Sequence, residues 1–176
     1  MATLNTIAGF FRVFISRYTP LKLKSNSIDD IYNYLLIDGL FATSGQPSEK
    51  QFELIRAAGY RTVINLSPTS ILENSIIDER AILKALGINY IHISVDFTNP
   101  TEQDFEKFVR EIEKENVSSN KLWIHCAANM RVSAFTYRYR VDILDKDKRQ
   151  AKNDLFKIWS PIGVWKKFVG FKENTR

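Results

Sequence analysis

The sequence has little of what marks disulfide-bonded, disordered or membrane-spanning chains. Its one cysteine, Cys126, cannot form an intramolecular disulfide, so we expect a reducing, cytoplasmic environment. Only seven glycines and five prolines occur among 176 residues, and 12% of the residues are aromatic, which argues against disorder. The longest apolar stretch, residues 7–15, is interrupted by Arg12 and falls short of the roughly 20 apolar residues of a spanning helix. We therefore expect one soluble globular domain.

The formal net charge of +5 is distributed unevenly along the chain. Residues 1–28 carry four basic and no acidic side chains, 29–130 carry nine basic and fifteen acidic, and 131–176 carry twelve basic and five acidic. The sequence has no zinc-finger spacing, aromatic RNA-binding signature or long basic run, so it predicts no nucleic-acid partner. Basic residues concentrated toward its end can instead attract an anionic substrate.

Residues 1–28 are predicted to form an amphipathic lead-in to a domain at 29–176. Apolar side chains recur in the lead-in at helical spacing, and Pro20 marks the end of the helix. These side chains are Leu4, Ile7, Phe11, Phe14, Ile15 and Tyr18. Three interpretations stay open: the helix packs on the domain, residues 1–24 make a weak membrane-surface contact, or the acid-free segment targets an organelle.

From residue 37 onward, short apolar runs alternate with helical periodicity, which is typical of an α/β domain. Strands are predicted at 40–43, 61–66, 90–95 and 121–125. Helices are predicted at 48–58, 77–86, 101–115, 146–159 and 163–171. Ser48 with Gln51 and Thr101 with Asp104 have the spacing of helix-capping pairs. The prediction is a central, mostly parallel sheet of four to five strands flanked by helices.

The candidate chemistry lies at residues 125–133, which read HCAANMRVS between an apolar strand and a helix-compatible run. Where a strand turns into a helix, the loop N–H groups and the positive end of the helix dipole converge, which forms an anion site. Such a site stabilises a cysteine thiolate, the nucleophilic form of the side chain. Arg131 adds a planar cation that can hold two oxygens of a phosphate or sulfate.

These residues resemble the active-site signature of the cysteine-dependent protein tyrosine and dual-specificity phosphatases, His-Cys, five residues, Arg and then Ser or Thr. The segment SGQPSEKQFELIRAAGYRTVINL at 44–66, taken with HCAANMRVSAF, is similar to a bacterial phosphatase-like branch. That branch includes the phosphatase-like domain of beta-lactamase hydrolase-like proteins, and the similarity covers residues 30–170. It implies a single domain of phosphatase-like fold that hydrolyses phosphomonoesters without a metal or other cofactor.

The loop departs from that signature in its spacing. Four residues, not five, separate Cys126 from Arg131, although Ser133 stands seven residues after the cysteine, as in the family. Either the loop is one residue shorter, or it has full length with Val132 in the usual arginine position. Asn129 replaces the usual glycine, and asparagine is the residue that, after glycine, best tolerates positive φ. The shorter spacing also resembles the loop of rhodanese-type sulfurtransferases, whose cysteine carries a persulfide.

The phosphatase resemblance implies a role for each loop residue. Cys126 attacks phosphorus and forms a phosphocysteine, which water then hydrolyses. His125 tunes the thiolate, or is an ordinary buried histidine. Ser133 donates a hydrogen bond to the leaving thiolate, or caps the following helix. The residues implied in phosphate binding are Ala127, Ala128, Asn129, Met130 and Arg131.

The resemblance also requires a general acid about 30 residues before the cysteine. Asp96 lies at that distance, in a loop predicted at the same sheet edge as the cysteine loop. It stands four residues before Pro100, whereas members of the superfamily often place the acid three residues before the loop proline. Glu102 and Asp104 are the alternative acids.

The sequence therefore predicts a cysteine-dependent phosphatase that acts on a phosphorylated protein or a small phosphomonoester. The loop contains no Lys or Arg before Arg131, which argues against multiply phosphorylated inositol lipids. Two alternative functions are a phosphate-binding module without turnover and a rhodanese-like sulfurtransferase. For Cys126 itself, the alternative is a buried and chemically silent thiol.

Overall fold

The computed structural model describes residues 27–37, 39, 41–69, 78–115 and 120–172. The predicted amphipathic helix of the lead-in lies outside these residues, and so do the proposed contacts of residues 1–24. Within the described ranges, no helix has the length and apolar character needed to cross a membrane.

A five-stranded sheet organises the described chain. Its strands are β1 (Leu35–Ile37), β2 (Phe41–Ser44), β3 (Thr62–Asn65), β4 (Asn89–His92) and β5 (Leu122–His125). Their spatial order is β1-β2-β5-β3-β4, with β1 antiparallel to β2 and the other neighbours parallel. This confirms the predicted α/β domain with a mostly parallel sheet. The sequence prediction omitted β1, because three residues are too few to show a periodic pattern.

Six α-helices are described, and each corresponds to a helical segment of the sequence prediction. They are α1 (Glu49–Ala57), α2 (Glu79–Ala85), α3 (Glu102–Lys114), α4 (Met130–Arg138), α5 (Lys148–Ile158) and α6 (Val164–Phe168). A π-helical turn, Tyr139–Ile143, continues α4, and a 3-10 turn, Ile28–Asp30, precedes the sheet. Both predicted capping pairs are present: Ser48 with Gln51 caps α1, and Thr101 with Asp104 caps α3.

Apolar side chains cover both faces of the sheet, as expected where strands are parallel. On β5, Leu122 and Ile124 belong to the larger core under α3 and α4, whereas Trp123 points into the smaller core under α1 and α2. The smaller core also contains Phe52 and Leu83. Because both faces are buried, a one-residue slip of a strand would exchange its two sets of side chains between unlike cores.

The register brings four polar residues into one row at the carboxyl edge of the parallel strands. Ser44 pairs with His125, His125 with Asn65, and Asn65 with His92. Ligand sites of parallel α/β sheets form at this edge, outside the strand ends. The loop that contains Cys126 leaves the sheet from the middle of this row.

Phe135 on α4 lies in the larger core, and its substitution tests the packing there. Its ring is fully buried and lies 5.4 Å from that of Phe108 and 4.8 Å from that of Phe168, between ring centroids. We expect Phe135→Ala to lower the free energy of unfolding by about 3–5 kcal/mol, measured by urea denaturation. Phe156→Ala, at a ring that is 43% exposed, is the control and should lower it by less than half as much. Equal effects would contradict this packing.

Candidate active site

The cysteine loop, residues 126–129, connects β5 to α4 and rests on the turn that follows β2. The Cys126 N–H donates to the Ser44 carbonyl oxygen at 3.3 Å, and the Gln46 N–H donates to that of Ala127 at 3.2 Å. A Cβ atom at Gly45 would come within 3.0 Å of the Ala127 carbonyl oxygen. Glycine at this position therefore lets the turn approach the loop closely.

Asn129 makes the bend that joins the loop to α4. Its backbone has φ 63° and ψ 4°, in the left-handed region, as its place in the sequence predicted. Its Nδ2 donates to the Asn33 carbonyl oxygen at 2.7 Å and to Oγ1 of Thr43 at 3.0 Å. In return, Nδ2 of Asn33 donates to the Ala128 carbonyl oxygen at 2.9 Å. Two asparagines thus hold the loop by side chain to backbone bonds.

The start of α4 suits an anion. Asn129 occupies the N-cap position but makes no side-chain cap hydrogen bond, while its Nδ2 donates to Asn33 and Thr43. The first N–H groups of a helix lack intrahelical acceptors and carry the positive end of its dipole. Cys126, only 1% exposed, stands four residues before the first residue of α4. The arrangement can therefore hold a thiolate or a phosphate group.

Arg131 lies in the first turn of α4 and is 3% exposed. Its guanidinium carbon stands 5.3 Å from the centre of the Phe97 ring, in the loop that also carries Asp96. Val132 is fully buried and packs in the larger core instead. The arginine is thus the side chain of this turn that faces the loop with the candidate acid.

Asp96 is exposed and lies in a turn closed by its own carboxylate. The N–H and the hydroxyl of Thr98 donate to its Oδ1 at 2.7 and 2.8 Å. These bonds lower the pKa of Asp96 below its ordinary value, and the positive charge of Arg131 lowers it further. Asp96 is therefore ionised at neutral pH and senses the Arg131 charge.

The two alternative acids are committed to structural contacts. Glu102 accepts two hydrogen bonds of 2.8 Å from Arg138, and these bonds lower the pKa of its carboxyl. Asp104 accepts from the backbone N–H and the hydroxyl of Thr101 in the α3 capping box. The Arg131 charge is among the causes of the lowered pKa of Asp96, whereas that of Glu102 is lowered by Arg138.

His125 and Ser133 are both held by partners within the described residues. His125 is fully buried, and its Nε2 lies 2.9 Å from Oε1 of Glu79, itself 3% exposed. The Ser133 hydroxyl donates to the Met130 carbonyl oxygen at 3.0 Å and accepts from Nε1 of Trp159 at 3.2 Å. The Ser133 contact with Met130 is that of a residue in the first turn of a helix.

Sequence reasoning missed Glu79. It lies in the first turn of the helix predicted at 77–86, and an acidic residue there is ordinarily exposed and favourable to the helix dipole. Its partner His125 is 46 positions away in the sequence. No local pattern distinguishes it from the other first-turn acids.

Asn129 provides the test of the loop conformation. We expect Asn129→Ala to lower the free energy of unfolding by about 1 kcal/mol more than Asn129→Gly, because alanine alone brings a Cβ into the left-handed region. Both variants lose the same bonds to Asn33 and Thr43, so their difference isolates the backbone effect. Urea denaturation of the two variants measures it. An alanine variant as stable as the glycine variant would contradict the left-handed bend.

Comparison with known proteins places this geometry in context. The chain matches a family model described as DSP-PTPase phosphatase fused to NAD+ kinase, over residues 6–159. It is 31% identical over 97 residues to the beta-lactamase hydrolase-like protein of Xylella fastidiosa. That match covers 54% of this chain but 22% of the relative, so the chain spans about a fifth of that protein's length.

Solved structures give the same fold. A DUF442 protein of Shewanella putrefaciens CN-32 is 28% identical, with a TM-score of 0.71 over 81% of this chain and 91% of that chain. TpbA of P. aeruginosa, in complex with pTyr, is 14% identical, with a TM-score of 0.58 over 78% of this chain and 79% of that chain. The second likeness is one of fold alone.

Proposed function

The chain belongs to the family of DSP-PTPase phosphatases fused to NAD+ kinase, and we propose that it hydrolyses phosphomonoesters through a phosphocysteine on Cys126. The observation that carries this proposal is the convergence of three groups on one sheet edge. Cys126 directly follows the strand β5, α4 begins four residues later, and the buried Arg131 faces the loop of Asp96.

The proposed reaction has two steps. The Cys126 thiolate attacks phosphorus, the bond from phosphorus to the ester oxygen breaks, and that oxygen takes a proton from Asp96. Water then attacks the phosphocysteine and gives a proton to Asp96, which releases inorganic phosphate and the thiolate. Loop amides of 127–130 and the Arg131 guanidinium stabilise the charge on the phosphate oxygens throughout.

The contacts of α4 support the shorter of the two loop alignments. Arg131, five positions after the cysteine, stands beside the Phe97 ring and influences the Asp96 carboxylate. Val132, six positions after it, packs in the apolar core and offers no polar group. We therefore assign phosphate binding to Arg131 with four intervening residues.

Substrate binding itself can turn Asp96 into an acid. In the free protein, bonds from Thr98 and the charge of Arg131 keep its carboxyl ionised. A phosphate group that pairs with Arg131 cancels that charge and brings negative charge nearby, and both effects raise the pKa of Asp96. The proton needed by the leaving oxygen is then taken up with the substrate.

Ser133 would assist the second step. Its hydroxyl now donates to the Met130 carbonyl oxygen. Exchanging that acceptor for the departing thiolate would stabilise the sulfur as phosphate leaves.

The loop favours substrates with a single phosphate. The side chains of Ala127, Ala128, Asn129 and Met130 carry no charge, and the last three are buried. Additional phosphates would therefore find no cation from the loop beyond Arg131. A structural relative binds phosphotyrosine, which is such a monoester, and we propose the same substrate class, an aryl phosphomonoester, for this chain.

Substitutions of Cys126 and Arg131 test the proposed function. We expect Cys126→Ser to lower the rate of p-nitrophenyl phosphate hydrolysis about a thousandfold or more, because a serine hydroxyl is not ionised here. Arg131→Lys should lower kcat/KM about a hundredfold, since lysine cannot hold two oxygens in the plane of a guanidinium. Steady-state kinetics measures both effects.

The matched control is Arg140→Lys. Arg140 is 2% exposed, as buried as Arg131, but it pairs with Asp154 at 2.8 Å. Its substitution should leave kcat/KM unchanged. Equal rates for wild type and Cys126→Ser would end the proposal, and a persulfide in place of a phosphocysteine on Cys126 would favour sulfur transfer.

The role of Asp96 is tested by the leaving group. Asp96→Asn should lower kcat for phenyl phosphate about a hundredfold. The loss should be smaller for p-nitrophenyl phosphate, because p-nitrophenolate departs without a proton. Glu102→Gln is the control, since its carboxylate is bound to Arg138, and it should leave both rates unchanged. If the two substrates lose the same factor, Asp96 does not protonate the leaving oxygen.

A further inference from the structure

We propose that Glu79 is a positioning residue of the active site that acts through His125, and this inference rests on the proposed phosphatase function. Neither sequence motif nor general acid chemistry points to Glu79. The proposal comes from its place under the cysteine loop and from the contacts that hold it there.

Glu79 joins three segments that surround the cysteine loop. Its Oε1 accepts from Nε2 of His125 at 2.9 Å and from Nδ2 of Asn65 at 3.3 Å. Its Oε2 accepts from Nε2 of Gln46 at 2.9 Å. His125 and Asn65 are the last residues of the neighbouring strands β5 and β3. Gln46 lies in the turn after β2, and its own N–H donates to the Ala127 carbonyl oxygen. One carboxylate therefore fastens the base of the loop and the turn against which the loop rests.

The carboxylate is both buried and ionised. Burial alone would raise the pKa of Glu79, but the charge of His125 and hydrogen bonds from His125, Gln46 and Asn65 together lower it below its ordinary value. Removing a partner of a buried charged group is strongly destabilising, because the charge is left uncompensated away from water. The network therefore holds each donor, including the His125 ring, in a fixed place.

This contact requires a proton on Nε2 of His125. A carboxylate accepts hydrogen bonds, so Nε2 must be protonated and donate to Oε1. Among the described residues, Nδ1 of His125 has no hydrogen-bond partner. Within the described ranges, Glu79 is thus the hydrogen-bond partner of the His125 ring.

The position of His125 explains why the contact reaches the chemistry. His125 is the last residue of β5, and Cys126 follows it. Loss of the Glu79 contact would leave the His125 ring without this anchor at the strand end from which the cysteine loop departs. Because a misplacement of about 1 Å can lower a catalytic rate a hundredfold, we expect the loss of Glu79 to lower kcat.

Other titratable groups face this network and must be considered in any measurement against pH. Tyr90 on β4 accepts a hydrogen bond from Asn65 at 3.3 Å, and burial, then the charge of Glu79, raises its pKa to about 12. Arg80, next to Glu79 on α2, lies over the Tyr90 ring at 5.1 Å. His92 stacks on the same ring, 6.1 Å between centroids.

The kinetic test compares Glu79→Gln and Glu79→Asp with Asp154→Asn in the full chain. Glu79→Gln removes the charge and should lower kcat for p-nitrophenyl phosphate about tenfold or more, with KM changed less than about threefold. Glu79→Asp keeps the charge and should restore part of the rate. Asp154 is a carboxylate bound to Arg140 and Lys157 outside the site, and its substitution should lower the melting temperature but not kcat.

A double-mutant cycle tests the route through His125. If Glu79 acts through the ring, the pair Glu79→Gln with His125→Asn should be no slower than His125→Asn alone. Independent, additive losses would overturn the proposal. So would a wild-type kcat in Glu79→Gln.

A spectroscopic measurement tests the contact in the wild-type protein, and a variant serves only to assign the signals. The chain contains two histidines, so ¹⁵N-histidine labelling of the wild type gives two ring systems, and His92→Gln assigns them. Long-range ¹H–¹⁵N correlation should show Nε2 of His125 protonated. An unprotonated Nε2 would overturn the inference.

The two proposals fail differently. An active Cys126→Ser variant would end the phosphatase function but would leave the His125 spectrum as expected. An inactive Cys126→Ser variant combined with a wild-type kcat in Glu79→Gln would end the inference about Glu79 alone.

Discussion

The register of the parallel strands is the constraint on which the candidate site depends. Pairing aligns the last residues of β2, β5 and β3, so Ser44, His125 and Asn65 stand side by side at one edge. The segments that leave this edge carry the turn at 45–47, the cysteine loop and the helix α2. Because unlike apolar cores cover the two faces, the register cannot slip without exchanging buried side chains. The position of the chemistry is therefore fixed by packing far from it.

Above that edge, hydrogen bonds from polar side chains hold the backbone of the cysteine loop. Asn129 uses its amide to hold Asn33 and Thr43 rather than to cap its own helix. The helix N-terminus is thus left available to an anion. An N-cap serine or aspartate would stabilise α4 but would occupy one of those N–H groups and, for aspartate, repel a phosphate. The start of α4 therefore lacks a side-chain cap and keeps N–H groups that can bind an anion.

Much of the fold could be predicted from the sequence because its signals are local. The capping pairs at Ser48 and Thr101, the glycines that end helices and the apolar strands all involve residues close in the chain. The same is true of the cysteine loop. Contacts between distant residues have no such local signal. The Asn33 to Ala128 bond and the Glu79 to His125 pair depend on a sheet order in which β5 lies between β2 and β3. The short β1 is missing from the prediction for a different reason, its length.

The environments of Asp96 and Glu79 decide which carboxyl group would exchange a proton with substrate in the proposed reaction. Both groups are ionised, but the causes differ. Glu79 is buried, and the groups that lower its pKa, His125, Gln46 and Asn65, belong to the folded protein. Asp96 is exposed, and part of its stabilisation is the charge of Arg131, which a bound phosphate would neutralise. In the proposed reaction, a bound phosphate would therefore raise the proton affinity of Asp96 more than that of Glu79. One carboxylate is suited to proton transfer and the other to holding the loop, although the two residue types differ by a single methylene group.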